Sequence, residues 1–190
     1  MGRARPLFVD SVRREHPDER VEVWFQDEAR VGQQGTLTRV WGERGTRTGA
    51  VRQTEYKWGY IFGAVNPLTG ASSALIAPTV NTELMSEHLR MIAEEAGDGV
   101  HVVLVLDGAG WHVAKALRVP ASMTLLFLPP YSPELMPMER VWAWMRQHHL
   151  SNRVFEDESA IDAAIAASWS TLTPERLRSI TATGWLTHEN

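Results

Sequence analysis

Three acidic residues stand where a folded chain could use them for chemistry. Asp107 directly follows Val100–Leu106, a nearly all-apolar run typical of a central parallel strand. Asp27 follows Val21–Gln26, whose alternating pattern predicts a second strand. Glu139 falls in the first turn of a helix predicted after the next apolar strand. Because functional groups gather beyond the carboxyl ends of neighbouring strands, we expect these three carboxylates to converge.

Three converging carboxylates would repel one another, since two like charges about 4 Å apart cost roughly 4 kcal/mol at an effective dielectric of 20. A cation among them relieves that repulsion, and hard oxygen ligands suit Mg²⁺ or Mn²⁺. Two such ions can support an in-line phosphoryl displacement without a protein nucleophile. That chemistry fits a chain with no cysteine. We therefore expect two Mg²⁺ or Mn²⁺ ions when substrate is bound.

Each acid also has an ordinary interpretation as a surface or capping carboxylate, which for a single residue is the commoner case. Asp107 carries more weight, because loops that leave a buried strand often hold sites. At the predicted helix, Pro137 fits the first helical position, which makes Glu139 the third and Met136 the N-cap. Met cannot accept an amide hydrogen bond, so Met136→Asn is expected to stabilise that helix start.

The remaining chain predicts elements that could position these acids. Turn residues in Asn66–Gly70 join two strands into a hairpin. We expect strands at 57–65, 71–77 and 124–128, a short strand near 38–41, and helices at 81–96, 112–117, 158–168 and 174–180. The helix at 112–117 would make a right-handed parallel crossover. This order predicts an α/β fold with a mixed sheet flanked by helices.

Whole-chain properties set limits on the class of protein. The 190 residues with 44% hydrophobic content suit one ordinary domain. No apolar run reaches the roughly 20 residues of a membrane span, so no membrane partner is expected. The absence of cysteine excludes disulfides and thiolate metal sites and makes a cytoplasmic location the default.

The net charge is −4, yet basic residues dominate the stretch from Arg30 to Lys57. This asymmetry favours an anionic partner on one face, although two solvated faces explain it equally well. Our candidates for contacts to nucleic-acid phosphates or bases are Arg30, Arg39, Trp41, Arg44 and Arg47. Solvation is the alternative for each Arg, and hairpin packing for Trp41. His112 is a further candidate, close to the acids or to a phosphate, although a structural hydrogen bond is the commoner role.

Several motifs resemble those of bacterial insertion-sequence transposases of the mariner-related DDE superfamily. The three acidic motifs are Asp27–Arg30, Asp107–His112 and Leu128–Glu139. The stretch 33–45 and the tail Leu150–Phe155 are also similar to that family. The resemblance covers roughly residues 20 to 180.

The resemblance implies a ribonuclease-H-like fold with a five-stranded sheet and a DDE triad at Asp27, Asp107 and Glu139. It implies magnesium-dependent cutting of the element's ends and joining of the freed 3′-hydroxyl to target DNA, in the bacterial cytoplasm at the nucleoid. Its partners would be DNA ends, target DNA and a separate or upstream helix-turn-helix module, and synapsis of two ends favours a homodimer. We divide the chain into a lead-in or linker remnant (1–20), a catalytic core (21–150) and a C-terminal helical extension packed on the core (151–190).

Two departures from the family pattern keep alternatives open. Nothing before residue 20 predicts a helix-turn-helix module, so the chain is expected to be the catalytic half alone. Met136 stands where the family has Asn, which leaves the activity of this copy open. The alternatives are a ribonuclease-H-like nuclease or resolvase without strand transfer, and an inactive DNA-binding remnant of a decayed element. The sequence does not specify the terminal repeat, the target sequence, the oligomer or the source organism.

Overall fold

A five-stranded mixed sheet forms the centre of the protein. The structure is a computed structural model that describes residues 4–33, 57–129 and 135–182. The strands are β1 (Arg20–Gly32), β2 (Trp58–Val65), β3 (Ser72–Ala77), β4 (Val100–Leu106) and β5 (Met123–Phe127), in the spatial order β3-β2-β1-β4-β5. β2 is antiparallel to β1 and β3, while β4 is parallel to β1 and β5. The mixed sheet, the hairpin and the central buried strand are therefore as predicted.

The central strand β1 is longer than the sequence pattern indicated, and Asp27 lies inside it rather than at its end. Its first half pairs in parallel with β4, from Arg20↔Val100 to Phe25↔Val105. Its second half, through Gly32, pairs only with β2 among the described strands. The alternation of apolar and polar residues fades after Gln26, because the second half of β1 has one neighbouring strand rather than two. Antiparallel hydrogen bonds to β2 keep this half extended.

Helices cover both faces of the sheet. The helices are α1 (Ala4–Glu15), α2 (Thr82–Ala96), α3 (Met138–Met145), α4 (Glu158–Trp169) and α5 (Pro174–Thr181). The apolar residues of α2 pack on one face with Trp24, Phe62 and Leu104. Those of α1, α3, α4 and α5 pack on the other face with Phe25 and Val105. Alternate residues of β1 and β4 therefore enter two separate cores, as expected for buried strands in a three-layer fold.

The connection between β4 and β5 differs from the prediction. The expected helix at 112–117 is absent, and this stretch consists of turns held by bonds such as His112 N to Ala109 O and Leu117 N to Ala114 O. Polar side chains compete with the backbone for hydrogen bonds here, and His112 is drawn to two carboxylates described below. The crossover is therefore a turn-rich loop.

The start of α3 also differs from the prediction. The helix begins at Met138 after Pro137, with no side-chain cap, and its first bonds are the short-range pairs Glu139 N to Met136 O and Arg140 N to Pro137 O. Met136 is 7% exposed and packs in the core beneath the sheet. It is thus a core residue and not an N-cap. The N-cap assignment was therefore wrong, and we now expect Met136→Asn to destabilise the protein, because the amide would enter an apolar environment.

The remaining helices begin at the expected signals. Asn81 caps α2 by accepting from Leu84 N, and Thr173 caps α5 by accepting from Arg176 N, followed by Pro174 at the first helical position. A π-helical turn, Arg146–Leu150, extends α3. The proposed boundaries at residues 20 and 150 stay predictions. Of the helices in the described ranges, none combines the length and apolar character that a bilayer span demands.

Candidate active site

Asp27 lies on the face of the sheet that α3 covers. It pairs with Gly63 on β2, and a side chain at Gly63 would collide with Trp142, which lies 2.5 Å from the position of its Cβ. The missing side chain lets Trp142 reach the sheet, where its indole Nε1 donates a hydrogen bond of 2.9 Å to Oδ2 of Asp27. Trp142 is three residues after Glu139 and therefore lies on the same side of α3. The bond thus brings α3, the helix that carries Glu139, into contact with Asp27.

The electrostatic environment of Asp27 disfavours its ionised form. Burial, opposed by the hydrogen bond from Trp142 and supported by the negative charges of Glu28 and Glu139, raises the pKa of Asp27 from 3.8 to about 7. Glu139 thus lies near enough for its charge to act on Asp27. An acid with such a pKa lacks sufficient positive compensation, which is a common property of functional sites.

Asp107 reaches the same level of the sheet as Asp27. The parallel ladder ends at Phe25↔Val105, and two further residues along each strand lead to Asp27 and Asp107. Adjacent strands lie about 4.8 Å apart, so this register favours neighbouring positions. The Asp107 side chain is 59% exposed, and its Oδ1 accepts from Ala109 N at 2.9 Å. Asp107 therefore combines an anchored oxygen with access to solvent.

His112 connects Asp107 to Glu28. Its Nδ1 lies 2.8 Å from Oδ1 of Asp107, and its Nε2 lies 2.8 Å from Oε1 of Glu28. The imidazole is fully buried, and the Glu28 oxygen also accepts from Trp111 Nε1 at 3.1 Å. Doubly bound in this way, the ring holds one carboxylate oxygen of Asp107 in place. We call these three residues the Glu28–His112–Asp107 relay.

Both carboxylates of the relay favour a charged imidazole. Burial opposes the charge, but the hydrogen bond and negative charge of Glu28, with smaller contributions from Asp107, raise the pKa of His112 above its ordinary value. When both ring nitrogens carry protons, each can donate to a carboxylate oxygen. The relay then places a positive charge beside the Asp107 carboxylate.

The three expected acids do not lie in mutual contact. In the described part of the chain, one group of His and carboxylate ligand atoms lies within 4.8 Å of one another, and it is His16, Glu19 and His101 rather than the expected triad. Asp27, Asp107 and Glu139 are therefore more widely spread, as like charges are without a counterion between them. Their approach is supported by the register of β1 and β4 and by the effect of Glu139 on Asp27.

The donor set fits a hard divalent cation. Asp27 carries the observation that tests this fit, because it is a partly buried carboxyl group that faces further negative charge and whose pKa is raised. A cation such as Mg²⁺ or Mn²⁺ would offset that charge with oxygen ligands.

The candidates for DNA contact lie mostly outside the described residues. Arg39, Trp41, Arg44 and Arg47 are among these. Arg30 is exposed on β1, and its guanidinium carbon lies 4.1 Å from the ring centre of Trp58. His112 is buried with both ring nitrogens engaged, so it faces carboxylates rather than solvent. Its ring lies beside Asp107, and its contact with a DNA phosphate stays a prediction.

Glu28 and Trp142 are the residues of the site that sequence reasoning did not find. Alternation along β1 places Glu28 on the face opposite to Asp27, and in the structure it lies on the α2 side. That argument did not reveal that His112 would reach across to it. Trp142 falls at helical spacing with the buried apolar residues of α3, and its ring is buried, but its indole N–H needs a partner. An aromatic donor one turn after an acid is the signal that could have indicated it.

Comparison with known proteins shows the family. The chain belongs to the DDE superfamily endonuclease family, whose sequence pattern matches residues 22–162. It is 48% identical over 130 residues to the uncharacterized protein y4pE/y4sA of Sinorhizobium fredii, a match that covers 67% of this chain and 96% of the relative.

Solved structures of the Mos1 transposase are similar in fold. The mariner Mos1 paired end complex with Mg matches with a TM-score of 0.66 at 16% identity, covering 93% of this chain and 55% of that one. The Mos1 paired-end complex with the left transposon end gives a TM-score of 0.64, also at 16% identity, with 93% and 55% covered. The chain therefore spans about half the length of the Mos1 chains. The ribonuclease-H-like fold is therefore confirmed by these structures, and the resemblance to the DDE superfamily by the family match.

Proposed function

We propose that this chain is the catalytic domain of a transposase that cuts the ends of an insertion sequence and joins the freed 3′-hydroxyl to target DNA. The observation that carries the proposal is the state of Asp27, a partly buried carboxyl group that accepts a hydrogen bond from Trp142 and has its pKa raised to about 7 beside the charge of Glu139. A carboxyl group with such a shifted pKa commonly belongs to a functional site, where it binds a cation or exchanges a proton. The family of endonucleases and the Mos1 fold support the same activity.

In this proposal Asp27, Asp107 and Glu139 hold two Mg²⁺ or Mn²⁺ ions. Such ions, when bound, supply an activated oxygen nucleophile and stabilise the leaving oxygen of a phosphodiester. The protein has no cysteine, and the proposed reaction needs no covalent intermediate with the chain.

The chain's own residues position and charge these carboxylates. Trp142 holds Oδ2 of Asp27, which leaves the other carboxylate oxygen for a ligand. His112 holds Oδ1 of Asp107, which leaves its second oxygen for the same use. In each acid one oxygen is fixed by an N–H donor, so less rotational freedom is lost when the other binds a ligand.

DNA would approach over the exposed acid and the basic stretch. Asp107 is partly exposed, and the exposed Arg30 lies on β1 three residues after Asp27. Arg39, Arg44 and Arg47 are further proposed phosphate contacts, with Trp41 as a base-stacking residue. With a net charge of −4, this chain alone is expected to bind DNA weakly and with strong salt dependence. A helix-turn-helix module on a separate or longer chain and a homodimer would supply the missing affinity.

The test is an assay with labelled DNA that carries the terminal repeats flanking the chain's own gene, together with a supercoiled target plasmid and Mg²⁺. We expect cut ends and joined products from the wild type. Asp27→Asn, Asp107→Asn and Glu139→Gln should each lose both products while retaining DNA binding. Asp98→Asn, which changes an exposed acid after α2, is the matched control and should remain active.

Other outcomes point to the alternatives. Cut DNA without joined products would indicate a nuclease or resolvase. Bound, intact DNA would indicate an inactive remnant and would overturn the proposed activity. Cleavage retained by Asp107→Asn would remove that residue from the mechanism.

A further inference from the structure

A second cluster of metal-ligand side chains lies at the other end of the sheet from Asp27 and Asp107. His16 directly follows α1, Glu19 precedes β1, and His101 is the second residue of β4. The backbone bond from Arg20 N to Gly99 O, 2.9 Å, joins the two strands at this end. The six residues from His101 to Asp107 correspond to about 20 Å along an extended strand. The cluster is therefore separate from the candidate active site.

The three ligand atoms already lie close together. Nδ1 of His16 is 2.8 Å from Oε1 of Glu19, and Nδ1 of His101 is 3.8 Å from the same oxygen. All three atoms lie within 4.8 Å of one another. The two imidazole rings stack with centroids 3.6 Å apart. Side chains from a helix end, a turn and a buried strand thus converge on one point.

His101 supplies an independent reason to expect a ligand. The residue is 1% exposed, and its Nε2 lies 2.8 Å from the hydroxyl oxygen of Thr124. Its Nδ1 is buried without a hydrogen-bond partner among the described residues. Leaving a buried ring nitrogen unpaired costs about 1–3 kcal/mol.

The contacts of His101 favour one tautomer. If Nε2 donates to Thr124, then Nδ1 presents a lone pair towards the carboxylate of Glu19. Two acceptors that face each other at 3.8 Å repel unless a cation lies between them. A ring nitrogen oriented by a hydrogen bond from its other nitrogen is the usual arrangement of a metal-binding histidine.

We propose that His16, Glu19 and His101 bind a transition-metal ion of the Zn²⁺ class, which ties α1 to β1 and β4. Two imidazole nitrogens and one carboxylate oxygen suit Zn²⁺, Co²⁺ or Ni²⁺, with a fourth position for water, whereas Mg²⁺ prefers oxygen ligands. The stacked rings must tilt apart to aim both nitrogens at one ion. His16 has the freedom to do this, because its side chain is 29% exposed.

The role of this ion would be structural. α1 lies before the sheet in sequence and contributes Val9 and Val12 to the core on the α3 side. Apart from this packing, the cluster joins the end of α1 to the sheet through side chains. A bound ion would make that junction rigid, so whatever precedes α1 in a longer chain would be held in a fixed orientation to the catalytic sheet.

The test is isothermal titration of ZnCl₂ into the metal-stripped 190-residue chain without a histidine tag, followed by thermal unfolding. We expect one Zn²⁺ per chain, a higher Tm with Zn²⁺, and at least tenfold weaker binding in His16→Gln and Glu19→Gln. His148→Gln, which changes an exposed histidine after α3, is the matched control and should bind as the wild type does. Co²⁺ in place of Zn²⁺ should give the visible absorption of a four-coordinate site in the wild type and in His148→Gln, but not in His16→Gln or Glu19→Gln.

Further variants separate the cluster from the active site. Asp27→Asn and Asp107→Asn should leave Zn²⁺ binding unchanged, and excess Mg²⁺ should not compete. His16→Gln is preferred over changes at His101, because His16 is partly exposed and its replacement threatens the fold less. Absence of Zn²⁺ binding by the folded wild type would overturn the proposal, as would binding that His16→Gln and Glu19→Gln leave intact while Asp107→Asn removes it.

Discussion

The indole N–H of Trp142 donates to Oδ2 of Asp27 at 2.9 Å, and this bond joins α3 to the central strand of the sheet. It is the main favourable contact of a carboxyl group that burial and two neighbouring negative charges otherwise disfavour as an anion. Glu139 lies on the same helix, so a change at Trp142 affects both the charge of Asp27 and the approach of Glu139. The bond therefore offers a way to test the site without removing any of its acids.

Trp142→Phe is expected to shift the pH dependence of DNA cleavage upwards. The bond from Trp142 lowers the pKa of Asp27, so its loss raises that pKa further and a higher pH is needed to ionise the acid. The rate of cleavage at limiting Mg²⁺, measured from pH 6 to 9, tests this. Trp169→Phe is the matched control. Its ring packs beside that of Trp142, with the ring centroids 6.1 Å apart, but the hydrogen bond to Asp27 comes from Trp142. Equal profiles for Trp142→Phe and the wild type would contradict the role of the bond.

Asp27→Asn is expected to raise the Tm of the metal-free protein at pH 8 and to reduce any rise in Tm caused by Mg²⁺. A folded-state pKa near 7, against 3.8 for the ordinary group, means that Asp27 supports folding fully below about pH 4 and that this support is lost as the pH rises through 7. Asn removes the charge and can still accept from Trp142. Thermal unfolding with and without Mg²⁺ measures both effects, and a lower metal-free Tm for Asp27→Asn would count against the prediction.

The Glu28–His112–Asp107 relay predicts coupling between Glu28 and His112, which are in contact although 84 positions apart in sequence. Glu28→Gln should lower the pKa of His112, since the Glu28 carboxylate is the main group that raises it. NMR titration of the imidazole measures that change. Cleavage assays should show that the activation free energies lost in Glu28→Gln and in His112→Asn add up to clearly more than the loss in the double variant. The reason is that each substitution breaks the same connection. Additive losses would show that Glu28 acts independently of His112.

Met136→Asn is expected to destabilise the protein by about 1–3 kcal/mol, because its amide would be buried without assured partners. Met136 is buried in the core beside α3 and does not cap it. Met136→Leu, which conserves volume and apolar character, should cost less than about 1.5 kcal/mol. Chemical denaturation measures the two free energies of unfolding. A more stable Asn variant would restore the capping interpretation.

His88 predicts a loss of stability in acid. Burial lowers the pKa of His88 to about 4, despite the negative charge of Glu28, while the charge of His112 lowers it further. The unfolded chain therefore takes up this proton first, and stability falls as the pH drops from about 6.5 to about 4. His88→Gln should flatten that part of the curve of unfolding free energy against pH. His148→Gln, at an exposed position, serves as control; an unchanged slope in His88→Gln would exclude the effect.

The sequence was sufficient for the parts of the fold that local patterns determine. The all-apolar run of β4, the turn after β2 and the caps at Asn81 and Thr173 each carry a local signal that the structure reproduces. The second half of β1 carried none, since its extended form depends on β2, a distant part of the chain. The loop at 112–117 was wrongly predicted as a helix. The contact of His112 with Glu28, which is 84 positions away, gives no signal in the local sequence.

The candidate site likewise combines residues that the local sequence indicates with residues that only the folded chain brings together. Asp27 and Asp107 could be selected as candidates because each follows a predicted strand and lies in a recognisable motif. The partners that tune them could not, because the contact from Trp142 to Asp27 spans 115 positions and that from His112 to Glu28 spans 84. Such contacts follow from the packing of layers rather than from spacing along one element.

The far end of β1 has a consequence for how the family could vary. Gln33 N donates to Lys57 O at 3.2 Å, and Gly32 pairs with Trp58, so the chain leaves and re-enters the sheet at one place. Everything between these points, including Arg39, Arg44 and Arg47, begins and ends at a fixed anchor. Residues 34–56 could therefore be exchanged between these two anchor points, and under the proposed function this exchange would change the contacts with DNA while Asp27 and Asp107 keep their places in the sheet.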